Sequence, residues 1–154
     1  MLIDADPKVD YMRRSDVFMG HYPGGTSIKA LIHWYQILQE EEGNIIRKYD
    51  YGESENLKRY GEQKPPVYEF KNIGPEVPIY FYIGYFDRLG TKNDILSFAK
   101  TLKNANIRAR RIYPMGHSSF IWGRELNYFL DDVTDDIMDC SCGRGGAEEK
   151  EEVE

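Results

Sequence analysis

Cysteine and histidine are scarce in this chain, and no long apolar run is present. The two cysteines, Cys140 and Cys142, are separated by one residue. A bond between them would be strained, and two thiols are too few for a structural zinc site. They give no disulfide framework and read as free thiols near a flexible end. The three histidines, His21, His33 and His117, stand far apart with no paired Cys or Asp spacing. That spacing argues against a metal site, and nothing in the sequence implies a cofactor. No stretch approaches the roughly 20 apolar residues that span a bilayer, so no transmembrane segment is expected. Residues 1–16 are charged and lack the apolar centre of a signal peptide, so the chain as written is expected to carry no secretion address. No Asn-x-Ser/Thr acceptor supports a secretory route either. Positive charge is also short: 20 basic against 26 acidic side chains leave a net charge of −6. This argues against nucleic acid as a partner, and the local cluster Arg108, Arg110 and Arg111 reads as the wet face of a strand.

What is present has the size of one domain, 154 residues. Residues 1–16 read as a polar arm, 17–139 as the folded portion and 140–154 as a disordered acidic tail. After a tight loop at His21-Tyr-Pro-Gly-Gly, Thr26 or Ser27 is placed to cap a helix. The apolar residues Ile28, Leu31, Ile32, Tyr35 and Leu38 recur there at helical spacing and are expected to form one buried face. Glycines, prolines and charges through 44–76 predict an irregular connection, anchored by Tyr49, Tyr51, Tyr60 and Tyr68. A connection that long is usually functional or packed on something else.

The run 77–84 is apolar on both alternations, as in a strand covered on both faces, with Pro78 tolerable only at its start. Thr91 and Asp94 form a capping box opening a helix that turns Ile95, Phe98, Ala99 and Leu102 inward. A second strand runs from Ile107 to Tyr113. Beyond it, Trp122, Leu126, Phe129, Leu130, Val133 and Ile137 predict an amphipathic helix with Glu125, Asp131, Asp132, Asp135 and Asp136 outward.

Strand, helix, strand makes a right-handed crossover of a parallel sheet, the unit of an α/β fold. Asp87 and His117 each follow the carboxyl end of a strand, where open α/β sheets place ligands. Two strands cannot bury the faces of three helices, so the partial sheet is expected to be incomplete on its own. The missing strands would come from another polypeptide or an absent amino-terminal half. On the residues alone, a strand-end aspartate capping a turn and a surface histidine is the plainer reading of this pair.

At these residues the chain resembles the carboxyl-terminal part of the acid lipases, the gastric and lysosomal branch of the α/β-hydrolases. His21-Tyr-Pro-Gly-Gly-Thr-Ser27 with His33-Trp34 is similar to the family's His-x-Pro-x-Gly-Thr-Ser and His-Trp segment. Tyr49-Asp-Tyr-Gly52 resembles Tyr/Phe-Asp-Trp-Gly, and Pro65-Pro66 with Tyr68 resembles Pro-Pro-x-Tyr. Asp87 and Gly116-His117-Ser-Ser-Phe-Ile-Trp122 resemble the triad aspartate and the histidine segment. Ser119 stands where the family usually has Asp, and Tyr85-Phe86 replaces a more glycine-rich turn.

The resemblance implies a carboxylic ester hydrolase of neutral lipids, with Asp87 and His117 in the order Ser, Asp, His of that fold. The Gly-x-Ser-x-Gly elbow is absent. Gly116-His-Ser-Ser-Phe120 comes nearest, but Phe120 removes its second glycine, and Ser118 as nucleophile beside His117 is sterically disfavoured. The chain would then be inactive alone and would need an amino-terminal lipase-like half, or other subunits covering its open sheet, as partner. The alternative is a non-catalytic, lipase-derived structural subunit of a larger assembly. A small binding module built on the aromatic stretch 49–68 is the third reading. His21 and His33 read as structural. The family resemblance implies a lysosomal or secreted setting that the chain itself does not encode.

Overall fold

The computed structural model describes residues 8–22, 24–40 and 45–142. Most of the expected acidic tail, from residue 143 on, therefore lies outside the described residues, as does Pro23 of the expected loop. The described elements are α1 (Ser15–His21), α2 (Ile28–Leu38), α3 (Glu53–Tyr60), β1 (Pro78–Gly84), α4 (Lys92–Thr101), β2 (Asn106–Tyr113), α5 (Ser119–Trp122) and α6 (Thr134–Cys142). Short 3-10 turns stand at Met12–Arg14 and Phe70–Asn72, and a π-helical stretch at Tyr128–Val133. Two compact units are distinguished, Val17–Phe70 and the residues that flank it.

In the flanking unit β1 and β2 pair in parallel through the expected crossover, with Pro78 opposite Asn106 and Gly84 opposite Tyr113. The register shifts after Ile79, leaving Arg108 as an extra residue of β2. The bulge breaks the one-sided alternation expected of Ile107–Tyr113. Arg110 is exposed, whereas Arg108 and Arg111 are half-buried. The Thr91 hydroxyl accepts the Asp94 N–H at 3.3 Å and donates to its carboxylate at 2.6 Å, so Thr91 caps the helix as the sequence predicts, with Asp94 answering through the hydroxyl. Ala99 of α4 and Leu102 just past its end join Ile83, Ala109 and Met115 in the apolar core. Full cover of β1 is met only at Ile83 and Gly84; residues 78–82 stay half-buried.

The segment after His117 departs further from expectation. A single amphipathic helix gives way to α5, a break at Gly123, the π-helical stretch and α6. Its burial is inverted in part: Asp136 is buried, while Leu126, Phe129, Leu130 and Ile137 are exposed, although Glu125, Asp131 and Asp135 face outward as expected. A half-buried guanidinium on β2 accounts for this, because an unpaired charge there is costly. Arg111 forms a two-pronged pair with Asp136, one arm at 3.0 Å, and contacts Asp132 at 3.3 Å. The Tyr82 hydroxyl donates to Asp136, and the Tyr113 hydroxyl to Asp132 at 2.8 Å. Burial, then these carboxylate bonds, push both phenols well above their ordinary range. Within the stretch expected to be a polar arm, Asp10 is buried and bridges Gly123. Tyr11 N–H bonds the Trp122 carbonyl at 2.9 Å and Arg124 N–H bonds the Val9 carbonyl at 2.8 Å.

In the Val17–Phe70 unit, the Ser27 side chain caps α2 by accepting the Lys29 N–H at 3.2 Å. The apolar face expected to be buried is the exposed one: Ile28 and Leu38 are 75% and 77% accessible. The opposite side, His33, Gln36 and Ile37, is partly buried. Gln36 bonds the Asp50 backbone twice, at 2.9 and 3.0 Å, as a strand neighbour would. Segments 46–48 and 66–68 meet as an antiparallel bridge, with Lys48 N–H on the Pro66 carbonyl and Tyr68 N–H on the Ile46 carbonyl. The irregular connection expected here contains a regular element, α3. Its signals were in the sequence: Glu53 and Glu55 in the first turn, Lys58 and Arg59 in the last, and Gly61 past the end at φ +79°. Buried Asn56 organises this loop, accepting from Tyr51 N–H and donating to Asp50 and to the Gln63 carbonyl.

Candidate active site

The carboxyl ends of β1 and β2 are brought together by a glycine. A Cβ on Gly84 would stand 2.7 Å from the Met115 carbonyl oxygen and 3.2 Å from the Phe120 ring, so only a residue without one lets the two loops approach this closely. Backbone bonds then tie them: Tyr85 N–H to the Tyr113 carbonyl at 2.8 Å and Phe86 N–H to the Met115 carbonyl at 3.0 Å. This stitching fixes the base of each loop before any side chain acts.

Asp87 follows immediately, and its side chain is only 8% exposed. One carboxylate oxygen accepts the N–H groups of Leu89 and Gly90, each at 2.8 Å. The other accepts from Nδ1 of His117 at 3.0 Å. A carboxylate offers only lone pairs, so the ring must carry its proton on Nδ1, which makes Nε2 the basic nitrogen of the neutral imidazole. The His117 side chain is 51% exposed. A buried, backbone-anchored acid thus orients an accessible base, the arrangement in which a histidine can accept a proton and be stabilised as imidazolium.

The loop bearing His117 is closed from its other side. Ser119, fully buried, accepts the Gly116 N–H at 3.2 Å, and its carbonyl receives the Gly123 N–H at 2.8 Å. Ser118 is buried as well. Tyr85 and Phe86, a T-shaped pair with centroids 5.1 Å apart, are exposed beside Asp87 in the chain.

The remaining histidines have other surroundings. His33 Nε2 bonds the Arg47 carbonyl at 2.9 Å, and Arg47 in turn pairs with Glu40 at 2.7 Å. His33, Gln36, Arg47, Lys64 and Pro65 line a cleft of about 240 Å³. His21 is exposed at the end of α1. A cluster that the sequence did not reveal surrounds Tyr51: the Lys29 ammonium sits 4.8 and 4.4 Å from the Tyr49 and Tyr51 ring centres, and the Arg59 guanidinium lies 4.2 Å from Tyr51. The bond from Lys29, with both cations nearby, holds the Tyr51 phenol below its ordinary range. Among the described residues no group of three or more His, Cys, Asp or Glu could hold a metal, and no helix is long and apolar enough to cross a membrane.

No family model matches the chain. Individual proteins do. Lipase lipl-1 of Caenorhabditis elegans is 32% identical over 150 residues, 92% of this chain and 36% of that protein. Gastric triacylglycerol lipase of Mus musculus is 31% identical over 78% of this chain and 29% of its own length. A putative lysosomal acid lipase/cholesteryl ester hydrolase of Crotalus adamanteus is 31% identical over 73% of this chain and 27% of its own. The chain spans about a third of the length of the curated relatives it matches. It belongs to the acid lipases, the gastric and lysosomal kind, and corresponds to a portion of such a protein.

Proposed function

We propose that the chain supplies the acid–base half of an ester-hydrolysing site on an α/β-hydrolase fold, with His117 as base and Asp87 as its orienter. The observation that carries this is the 3.0 Å bond between His117 Nδ1 and the buried Asp87 carboxylate at the ends of adjacent parallel strands. The serine and the oxyanion-hole N–H groups come from a lipase-like amino-terminal half outside this chain, and the substrate is a hydrophobic acyl ester such as a triacylglycerol or sterol ester. In the first step the serine oxygen bonds the acyl carbon while Nε2 takes its proton. As the tetrahedral intermediate collapses, the ester C–O bond breaks and the imidazolium returns that proton to the leaving alkoxide. Water, deprotonated by the same nitrogen, then bonds the acyl carbon; the bond to the serine oxygen breaks, the imidazolium returns the proton to that oxygen, and the fatty acid leaves. Asp87 keeps the ring in one tautomer throughout.

The test is to isolate the protein natively with its companions, treat it with a fluorophosphonate, identify the labelled polypeptide, and assay an emulsified triacylglycerol. A labelled serine in a Gly-x-Ser-x-Gly segment, with turnover lost on His117→Ala, is the expected result. Absence of both label and turnover would overturn the reading in favour of a structural subunit, a role to which the exposed apolar residues of α2 and α6 are suited.

A further inference from the structure

We propose that Ser119 is a positioning residue for His117, setting the orientation of the ring through the turn 116–119; this rests on the functional reading above. The ring is half exposed and bonds Asp87 at 3.0 Å, and whether its Nδ1 reaches that carboxylate depends on the backbone that carries it. That backbone is anchored on one side by the Met115 carbonyl, which accepts from Phe86. On the other side the anchor is Ser119. Its hydroxyl is the acceptor for the N–H of Gly116, the residue before His117, and both Gly116 and Ser119 are buried. A buried N–H without an acceptor would be costly, so removing this hydroxyl favours a turn that rearranges to find another.

Ser119 is itself held in place. Its carbonyl accepts the Gly123 N–H at 2.8 Å, and a Cβ at Gly123 would fall 2.6 Å from that oxygen, so the glycine permits the close approach. Residues 122 and 124 are in turn bonded to Tyr11 and Val9. The hydroxyl therefore couples the His117 turn to a segment braced from outside it. Ser118 provides the contrast: it is also buried in the same turn, but its bonds to the N–H groups of Ile121 and Trp122 run through its carbonyl. Replacing its side chain removes similar volume and leaves the partner of Gly116 intact.

The experiment compares Ser119→Ala, Ser119→Cys and Ser118→Ala in the full-length protein, reading the nitrogen chemical shifts of His117 by NMR. In the parent and in Ser118→Ala the ring should hold the Nδ1–H tautomer. In Ser119→Ala it should average both tautomers, and in Ser119→Cys, whose larger sulfur is a weaker acceptor, it should fall between. In the assembled enzyme Ser119→Ala should lower kcat on the order of 10²-fold with KM unchanged, as a displaced base does. Parent-like tautomer populations in the Ser119 variants would overturn the proposal. If Ser119→Ala does not fold, Ser119→Cys decides alone. Loss of the functional reading would show separately, as turnover that survives His117→Ala.

Discussion

His117 and His33 show two uses of one side chain. His33 is partly buried and bonds a backbone carbonyl, that of Arg47, in a unit organised by side chains mimicking backbone partners. His117 is half exposed and bonds a carboxylate that is itself buried and clamped by two N–H groups. A carbonyl dipole can fix a tautomer but does little for a ring that gains a proton. A carboxylate does both. The partner and the accessibility, not the histidine, separate a candidate catalytic group from a structural one.

The sharpest way to break this comparison is to neutralise the carboxylate. Asp87→Asn should cost about 10⁴-fold in kcat in the assembled species, because the amide can donate to Nδ1 and hold the wrong tautomer. His33→Phe, its counterpart, should leave kcat per folded molecule unchanged. Steady-state ester hydrolysis on matched amounts of folded protein decides between them. Next in size, Asn56→Ala should destabilise the Val17–Phe70 unit by about 2 kcal/mol, since it strips partners from the Tyr51 N–H and the Gln63 carbonyl. The fall should appear in chemical denaturation, while the environment of His117 stays as it was.

The smallest effect belongs to alkaline pH. Tyr82 and Tyr113 have folded-state pKa values raised above their ordinary value of 10.0. The unfolded chain therefore loses these protons first. The stability they contribute is fully present below that pH and declines as pH rises through and beyond it. Denaturation midpoints at about pH 9 and about pH 11 should differ more for the parent than for Tyr82→Phe or Tyr113→Phe.

The legible parts of the fold were those in which a local pattern agreed with its surroundings. The crossover through β1, α4 and β2, and the Thr91–Asp94 box, follow from apolar runs and cap chemistry that need only neighbours in sequence. Asp87 and His117 were placed at strand ends by the local pattern, but on the residues alone they read as a turn cap and a surface histidine, and it was the family resemblance that paired them. The helix α3 was hidden by its few apolar residues, although its charges and Gly61 marked both ends. The faces of α2 and of the π-helical stretch with α6 were misjudged for a shared reason. Periodicity identifies which residues form a stripe, not what the chain offers to cover it. In the described structure the polar sides, through Gln36 and Asp136, find hydrogen-bonding partners while the stripes stay exposed.

Two strand-like runs, a capped helix between them and the order of an acid and a histidine were determined by the sequence itself, because propensity and capping act over a few residues. Three things were decided only by tertiary structure: the 3.0 Å bond between Asp87 and His117, the inward turn of Asp136 toward Arg111, and the clamp of Ser119 on Gly116. Each depends on groups separated along the chain, or folded back within a turn, whose approach is set by backbone geometry at Gly84 and Gly123 and by the need to pair what is buried.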